Sequence, residues 1–147
     1  KTVLKKVDVL LVNDGEARQL SGEVSLVKAA KAIMAMGPQY LIIKKGEHGA
    51  LLFHQNSVFF APALPLEDVI DPTGAGDTFA GGFTGYLAKV KDISFDSMKT
   101  AIIVGSAMAS FCVEKFGPER LKEITADDIT ARINEFVQLV NFDIDLI

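Results

Sequence analysis

At 147 residues the chain has the length of one domain, and with 49% apolar and 23% charged residues it can bury a sizeable core. Its net charge of −4 argues against a nucleic-acid partner, because polyanions are met by clustered Lys and Arg, and Lys44-Lys45 alone is no basic face. The single Cys112 excludes an internal disulfide and, lying in an apolar stretch, reads as a small buried thiol in a cytoplasmic protein.

No signal-peptide pattern precedes the first strand, and structured-looking sequence begins almost at once, so sequence missing upstream is an expectation. Val7 to Val12 and Tyr40 to Ile43 are short, nearly continuous apolar runs, the pattern of strands covered on both faces in a parallel sheet. Between them Leu26, Ala30 and Ile33 recur at helical spacing, with Ser25 as a cap and Gly37-Pro38 as a stop, which makes a strand-helix-strand unit. Ala50 to Phe53 and Ser57 to Phe60 predict a hairpin around His54-Gln55-Asn56, and Pro62 and Pro65 then open a loop.

Phe79, Phe83, Tyr86, Leu87 and Val90 define one face of a helix that begins around Ala75 to Thr78. A more uniformly apolar helix is predicted over Phe95 to Cys112. Its apolar part, Ala101 to Val113, falls short of the roughly 20 residues a membrane span needs and contains Gly105, Ser106 and Ser110, so it reads as buried in protein. The capping-box pattern Thr125-Ala126-Asp127-Asp128 starts a last helix with Ile129, Ile133, Phe136 and Val140 on one face. Asn141 to Ile147 has no clear partner. Without repeats or long linkers, the expectation is one compact α/β domain.

The chemistry concentrates in Asp71-Pro72-Thr73-Gly74-Ala75-Gly76-Asp77. Three small residues let the backbone turn tightly and approach a ligand, and the helix that follows aims unpaired N–H groups at it, which suits an anion. Asp77, in the first helical turn, is stabilised by the same dipoles and can accept a proton as a general base. The residues alone equally allow a plain turn with Asp77 as a helix cap.

The whole string, with Thr78-Phe79 and Gly81-Gly82-Phe83 after it, resembles the carboxy-terminal signature of the ribokinase-like, phosphofructokinase-B-type carbohydrate kinases. The resemblance implies a three-layer αβα core with a mostly parallel sheet, of which this chain is the carboxy-terminal half. It implies that Gly74, Ala75 and Gly76 form an anion hole for the γ-phosphate of ATP and that Asp77 deprotonates the acceptor hydroxyl. The family commonly has Thr where this chain has Pro72, a change that leaves the turn and the base intact.

Three further segments occur in the order the family implies. Asn13-Asp14-Gly15-Glu16 resembles its Asn-x-x-Glu element, associated with Mg²⁺ and phosphate placement; Glu16 is then an indirect metal partner, although an exposed Glu at a helix start also accounts for it. Lys45-Gly46-Glu47-His48-Gly49 resembles a nucleotide-proximal turn in which Gly46 is the transferable position, while Lys44 and Lys45 depart from the pattern and read as a solvated pair. His48 and His54 lack companions for a metal site. Ser106 to Gly117 resembles the helix and turn that border adenine, with Ser106 near a position where relatives contact the base; simple helix packing explains it as well. Gly117, with Asp71 and Thr73, would belong to a K⁺ site.

The resemblance covers about Val7 to Val140 and leaves no counterpart for the family's amino-terminal lid, sugar-binding carboxylate and Gly-Gly motif. An excised portion is therefore expected, inactive alone, with an exposed interface that favours a homo-oligomer. The leading reading is the ATP-binding half of a kinase acting on a sugar or related alcohol. A nucleoside kinase of the same family and a non-catalytic nucleotide-binding or interaction module are the alternatives. Neither the Walker-type nor the dinucleotide glycine fingerprint is present.

Overall fold

The computed structural model describes residues 3–144. Where one compact domain was expected, the chain divides into two compact units, Lys1–Ala61 and Pro62–Ile147. The division falls at Pro62, at the start of a stretch, 62–74, that forms neither helix nor strand.

The first unit contains a 3-10 turn Val3–Lys6, β1 (Val9–Asn13), α1 (Asp14–Ser21), α2 (Leu26–Met34), β2 (Tyr40–Lys44), a 3-10 turn Gly46–His48, β3 (Ala50–His54) and β4 (Ser57–Ala61). Sheet order is β1-β2-β3-β4; β1 and β2 run parallel, while β2/β3 and β3/β4 are antiparallel. This share of the sheet is thus less parallel than expected. A parallel pair needs a long crossover, which α1 and α2 supply, whereas residues 45–49 and the pair Gln55-Asn56 are too short for anything but hairpins.

The helical crossover is two helices, not one. Asn13 caps α1, which stops at Gly22, whose left-handed φ of 76° lets its N–H reach the Arg18 carbonyl at 2.8 Å. Ser25 then caps α2, as its position predicted. Gly37 has φ +146°, and a Cβ there would lie 2.2 Å from the Leu4 carbonyl oxygen, so only glycine lets the exit from α2 cross the first turn.

Ala17 of α1 and Ala30 and Ile33 of α2 pack on Leu41, Ile43 and Phe53, with Leu10, Val12 and Leu51 around them. Register explains the set: Leu10, Leu41 and Phe53 lie in one row, and Val12, Ile43 and Leu51 in the next, on the same face. Each fully buried Ile or Leu contributes about 1.5–3 kcal/mol. Ile42 and Leu52, on the other face, also have no solvent exposure, which is why β2 reads as a continuous apolar run.

The second unit is helical: α3 (Ala75–Val90), α4 (Phe95–Cys112), α5 (Glu119–Glu123) and α6 (Ala126–Val140). Phe79 and Phe83 of the expected α3 face are buried, Tyr86 and Leu87 half-buried, and Val90 exposed. The Thr125/Asp128 capping box forms and Phe136 is buried, whereas Val140 is exposed. The short α5 has no side-chain cap and was not foreseen. Residues 141–144 are not helical, and the rest of the predicted unpartnered end lies outside the described residues. Among the described residues no helix is long and apolar enough to cross a membrane.

Helices α3 and α4 approach backbone to backbone. A Cβ on Gly105 would sit 2.7 Å from the Phe79 carbonyl oxygen, and one on Gly82 3.0 Å from the Gly105 Cα. Gly105→Ala must therefore spread the pair and should cost roughly 1–3 kcal/mol. Gly85→Ala, on the same α3 but with open space around it, should be neutral or stabilise by about 0.5–1 kcal/mol. Equal melting temperatures for the two variants would refute the close approach.

Candidate active site

In the first unit the candidates gather at the carboxyl end of the parallel pair. Asn13 and Lys44 are register partners, so the turn into α1 and the turn at Gly46 leave the sheet side by side, the end of an open α/β sheet at which ligands bind. Asn13 Oδ1 accepts the Glu16 N–H at 2.7 Å, and Glu16 Oε2 accepts the Asn13 N–H at 2.8 Å, a closed capping box. Glu16 is exposed, and a carboxylate with one oxygen engaged still suits a hydrated Mg²⁺ met through water. Gly46 has φ +56°, and a Cβ there would meet no atom within 4 Å, so its backbone is open to close approach. His54 is structural: it stacks on Tyr40 at 4.2 Å, and its Nδ1 lies 2.9 Å from the Gln39 carbonyl.

In the second unit the loop before α3 is docked on the turn after α4. The Ile70 and Asp71 N–H groups donate to the Val113 carbonyl at 2.9 and 3.4 Å, and the Cys112 thiol lies 3.7 Å from the Thr73 carbonyl. Asp71 Oδ1 accepts the Thr73 N–H at 2.9 Å and Oδ2 the Gly117 N–H at 3.5 Å. Asp71, Thr73 and Gly117 are thereby brought together. Hydrogen bonding, first from Thr73, holds the Asp71 carboxyl below the ordinary aspartate range.

Gly74 turns the chain with φ 81°, the Ala75 N–H donates to the Pro72 carbonyl at 3.2 Å, and the Thr78 N–H donates to the Gly74 carbonyl at 2.8 Å. Among the described residues no group accepts from the N–H of Gly74, Gly76 or Asp77. Asn13, Ser25, Ser94 and Thr125 cap α1, α2, α4 and α6 with their side chains, but Gly74 has none to offer α3. The head of α3 therefore leaves three donors without an acceptor among the described residues, an arrangement that suits an anion, and the Ala75 N–H, to which the sequence pointed, is engaged instead. The Asp77 side chain is exposed in the first turn of α3, and Ser106 is half-buried on α4.

Sequence reasoning missed the supports of the loop, Cys112 and Val113, because contacts across some forty residues leave no local pattern. It also missed Arg120 and Arg132, whose partners lie on or beyond other helices.

A parallel strand pair joined by helices, a glycine turn at its carboxyl end and, in the second unit, a helix head without a side-chain cap define an α/β protein. The family profile of the pfkB family carbohydrate kinases matches residues 1–124. The chain is 31% identical over 122 residues to a ribokinase of Staphylococcus aureus, covering 80% of this chain and 38% of that protein. It is 36% identical over 89 residues to a cytidine kinase of Thermococcus kodakarensis, covering 58% and 32%. Among solved structures, the aminoimidazole riboside kinase of Salmonella enterica, complexed with aminoimidazole riboside and an ATP analog, matches with a TM-score of 0.73 at 29% identity, over 86% of this chain and 42% of that one. The chain belongs to the pfkB family of carbohydrate kinases and has the ribokinase-like fold. It spans less than half the length of these relatives.

The lowered Asp71 titration carries a pH consequence. A carboxyl whose folded value is depressed stabilises the fold above its unfolded value and loses that contribution as pH falls through the folded one. Acidification below the ordinary aspartate range should therefore release the Thr73 and Gly117 amides together, as followed by their NMR shifts. Release already within the ordinary range would contradict the hydrogen bonds assigned to Asp71.

Proposed function

We propose that the chain is the carboxy-terminal, ATP-binding portion of a kinase that phosphorylates a sugar hydroxyl, and that the amino-terminal lid and substrate half lies outside it. The observation that carries this reading is the head of α3, where three N–H groups without an acceptor among the described residues and the Asp77 carboxylate share one turn. Asp77 accepts the proton of the acceptor hydroxyl as the bond to phosphorus forms, and the Gly74, Gly76 and Asp77 N–H groups donate to the oxygens of the phosphoryl group in transfer. In the second unit Ser106 and Gly117, and in the first Gly46, are each suited to contact nucleotide. Mg²⁺ neutralises phosphate charge when bound, and Asn13 and Glu16 are suited to hold its waters. Asp71 and Thr73, tied to Gly117, suit a K⁺ neighbouring the loop. Similarity to a cytidine kinase supports a nucleoside as the alternative acceptor.

In an enzyme carrying both halves, Asp77→Asn should lower kcat by about 10²–10⁴-fold and change ATP affinity by less than about threefold, since the three backbone donors remain. Full turnover in this variant would remove Asp77 from the reaction.

The second reading, for the chain taken by itself, is a nucleotide-binding module without transfer activity. The 147-residue chain with ATP, Mg²⁺ and a panel of sugars and nucleosides should bind nucleotide without turnover, because catalysis needs both reactants held together. Measured phosphorylation by the chain alone would overturn both that expectation and the module reading.

A further inference from the structure

A charged cluster in the second unit lies behind the phosphate loop and is not used by the proposed reaction. Glu114 follows α4 directly; its Oε1 accepts from Arg132 Nη2 at 2.5 Å and its Oε2 from Arg120 Nε at 2.9 Å. Arg132 Nη1 also donates to Ser110 Oγ at 2.7 Å, and its guanidinium lies 4.0 Å from the centre of the Phe111 ring. The Arg132 side chain is only 12% exposed. Burial alone would raise the Glu114 carboxyl, but hydrogen bonds from Arg120 and Arg132 outweigh it and hold the group low, so Glu114 stays ionised and paired. This is unlike an exposed ion pair, which contributes little.

The placement of this cluster gives it a consequence. Helix α4 ends at Val113 in a right-handed conformation, with no glycine C-cap, and residues 115–118 beyond it are exposed. That end is the platform of the phosphate loop: the Val113 carbonyl takes the Ile70 and Asp71 N–H groups, and the Gly117 N–H reaches Asp71. Glu114 lies between the two attachment points. Arg132 reaches it from α6 while also gripping Ser110 one turn earlier on α4.

We propose that Arg132 is a positioning residue for the phosphate loop: by holding Ser110 and Glu114 it fixes the end of α4 on which residues 70–73 dock, and so sets the aim of the Gly74, Gly76 and Asp77 N–H groups. The consequence for ATP rests on the role assigned to the loop above; the mechanical coupling does not.

The test compares three variants of the 147-residue chain. Arg132→Met keeps an apolar stem against Phe111 without the donors, and Arg132→Lys keeps the charge without the fork. Phe136→Leu loosens α6 at a buried apolar site one turn from Arg132 and removes none of the cluster's hydrogen bonds. Amide exchange at Ile70 and Thr73 is read by NMR, and ATP affinity in Mg²⁺ by calorimetry. Arg132→Met should speed exchange at both amides by about tenfold or more and weaken ATP binding by about tenfold, with Arg132→Lys between it and wild type. Phe136→Leu should lower the melting temperature but leave both readouts within about twofold of wild type. Wild-type exchange in Arg132→Met, or equal acceleration in Phe136→Leu, would overturn the proposal. If Arg132→Met does not fold, Glu114→Gln and Arg132→Lys carry the same comparison. Absence of ATP binding by the wild-type chain would count against the proposed function, and the exchange rates would still decide the coupling.

Discussion

Helix α3 has to begin without a side-chain cap, and much of the second unit follows from that constraint. The first N–H groups of a helix have no partner within it, and Ser, Thr or Asn at the cap usually supplies one. Gly74 cannot, and the omission costs about a few tenths of a kcal/mol relative to a capped start. Burial of Phe79 and Phe83 and the close approach of α3 to α4 more than offset that cost at the far side of the helix. Stability is thus drawn from one face of α3 while its head stays open, which is the separation a ligand-binding helix end requires.

The two ends of this arrangement are held by the same element. Gly105 of α4 sets how closely α3 lies, and Val113, about 12 Å further along a helical path, receives the loop that leads into α3. A helix and the loop that feeds it are then referenced to a single rod, so in the role proposed for them the N–H donors would not have to reorganise when charge develops in front of them. Preorganisation of this kind is where electrostatic stabilisation of a transferring group gets its strength. The paired Glu114 and Arg132 extend the same logic one layer outward, from the rod to its carboxyl end.

What could be read from sequence was local. The Phe95 to Cys112 helix, the Thr125 cap, the hairpin and the start of α3 each announce themselves within a few residues, through periodicity, a capping side chain or a glycine turn. Helix α1 was absorbed into a single predicted crossover because its eight residues carry one buried position, Ala17, too few to show a period. Antiparallel pairing was implicit in the predicted hairpin, yet the apolar runs of β1 and β2 and the family likeness pulled the expectation toward parallel strands. The capping box at Asn13 and Glu16 shows a limit of another kind: the residues singled out for metal chemistry also solve a helix-end problem. In the loop before α3, the glycine turn and the helix start were legible, whereas the engagement of the Ala75 N–H rather than that of Asp77 depends on a turn closed by Pro72.

The exposure of Asp77 bears on where selectivity resides. An exposed carboxylate competes with water for any hydroxyl, so the role proposed for it requires an acceptor held in place and water shut out by structure beyond the helix head. Relatives named as a ribokinase and a cytidine kinase both align with this chain, at 31% and 36% identity. Sequence shared between proteins named for such different acceptors is poorly placed to distinguish them. In the role proposed for them, the donors of α3 and the clamp behind them would serve the phosphoryl group whatever the acceptor, and discrimination between acceptors would fall to structure that holds the hydroxyl at Asp77.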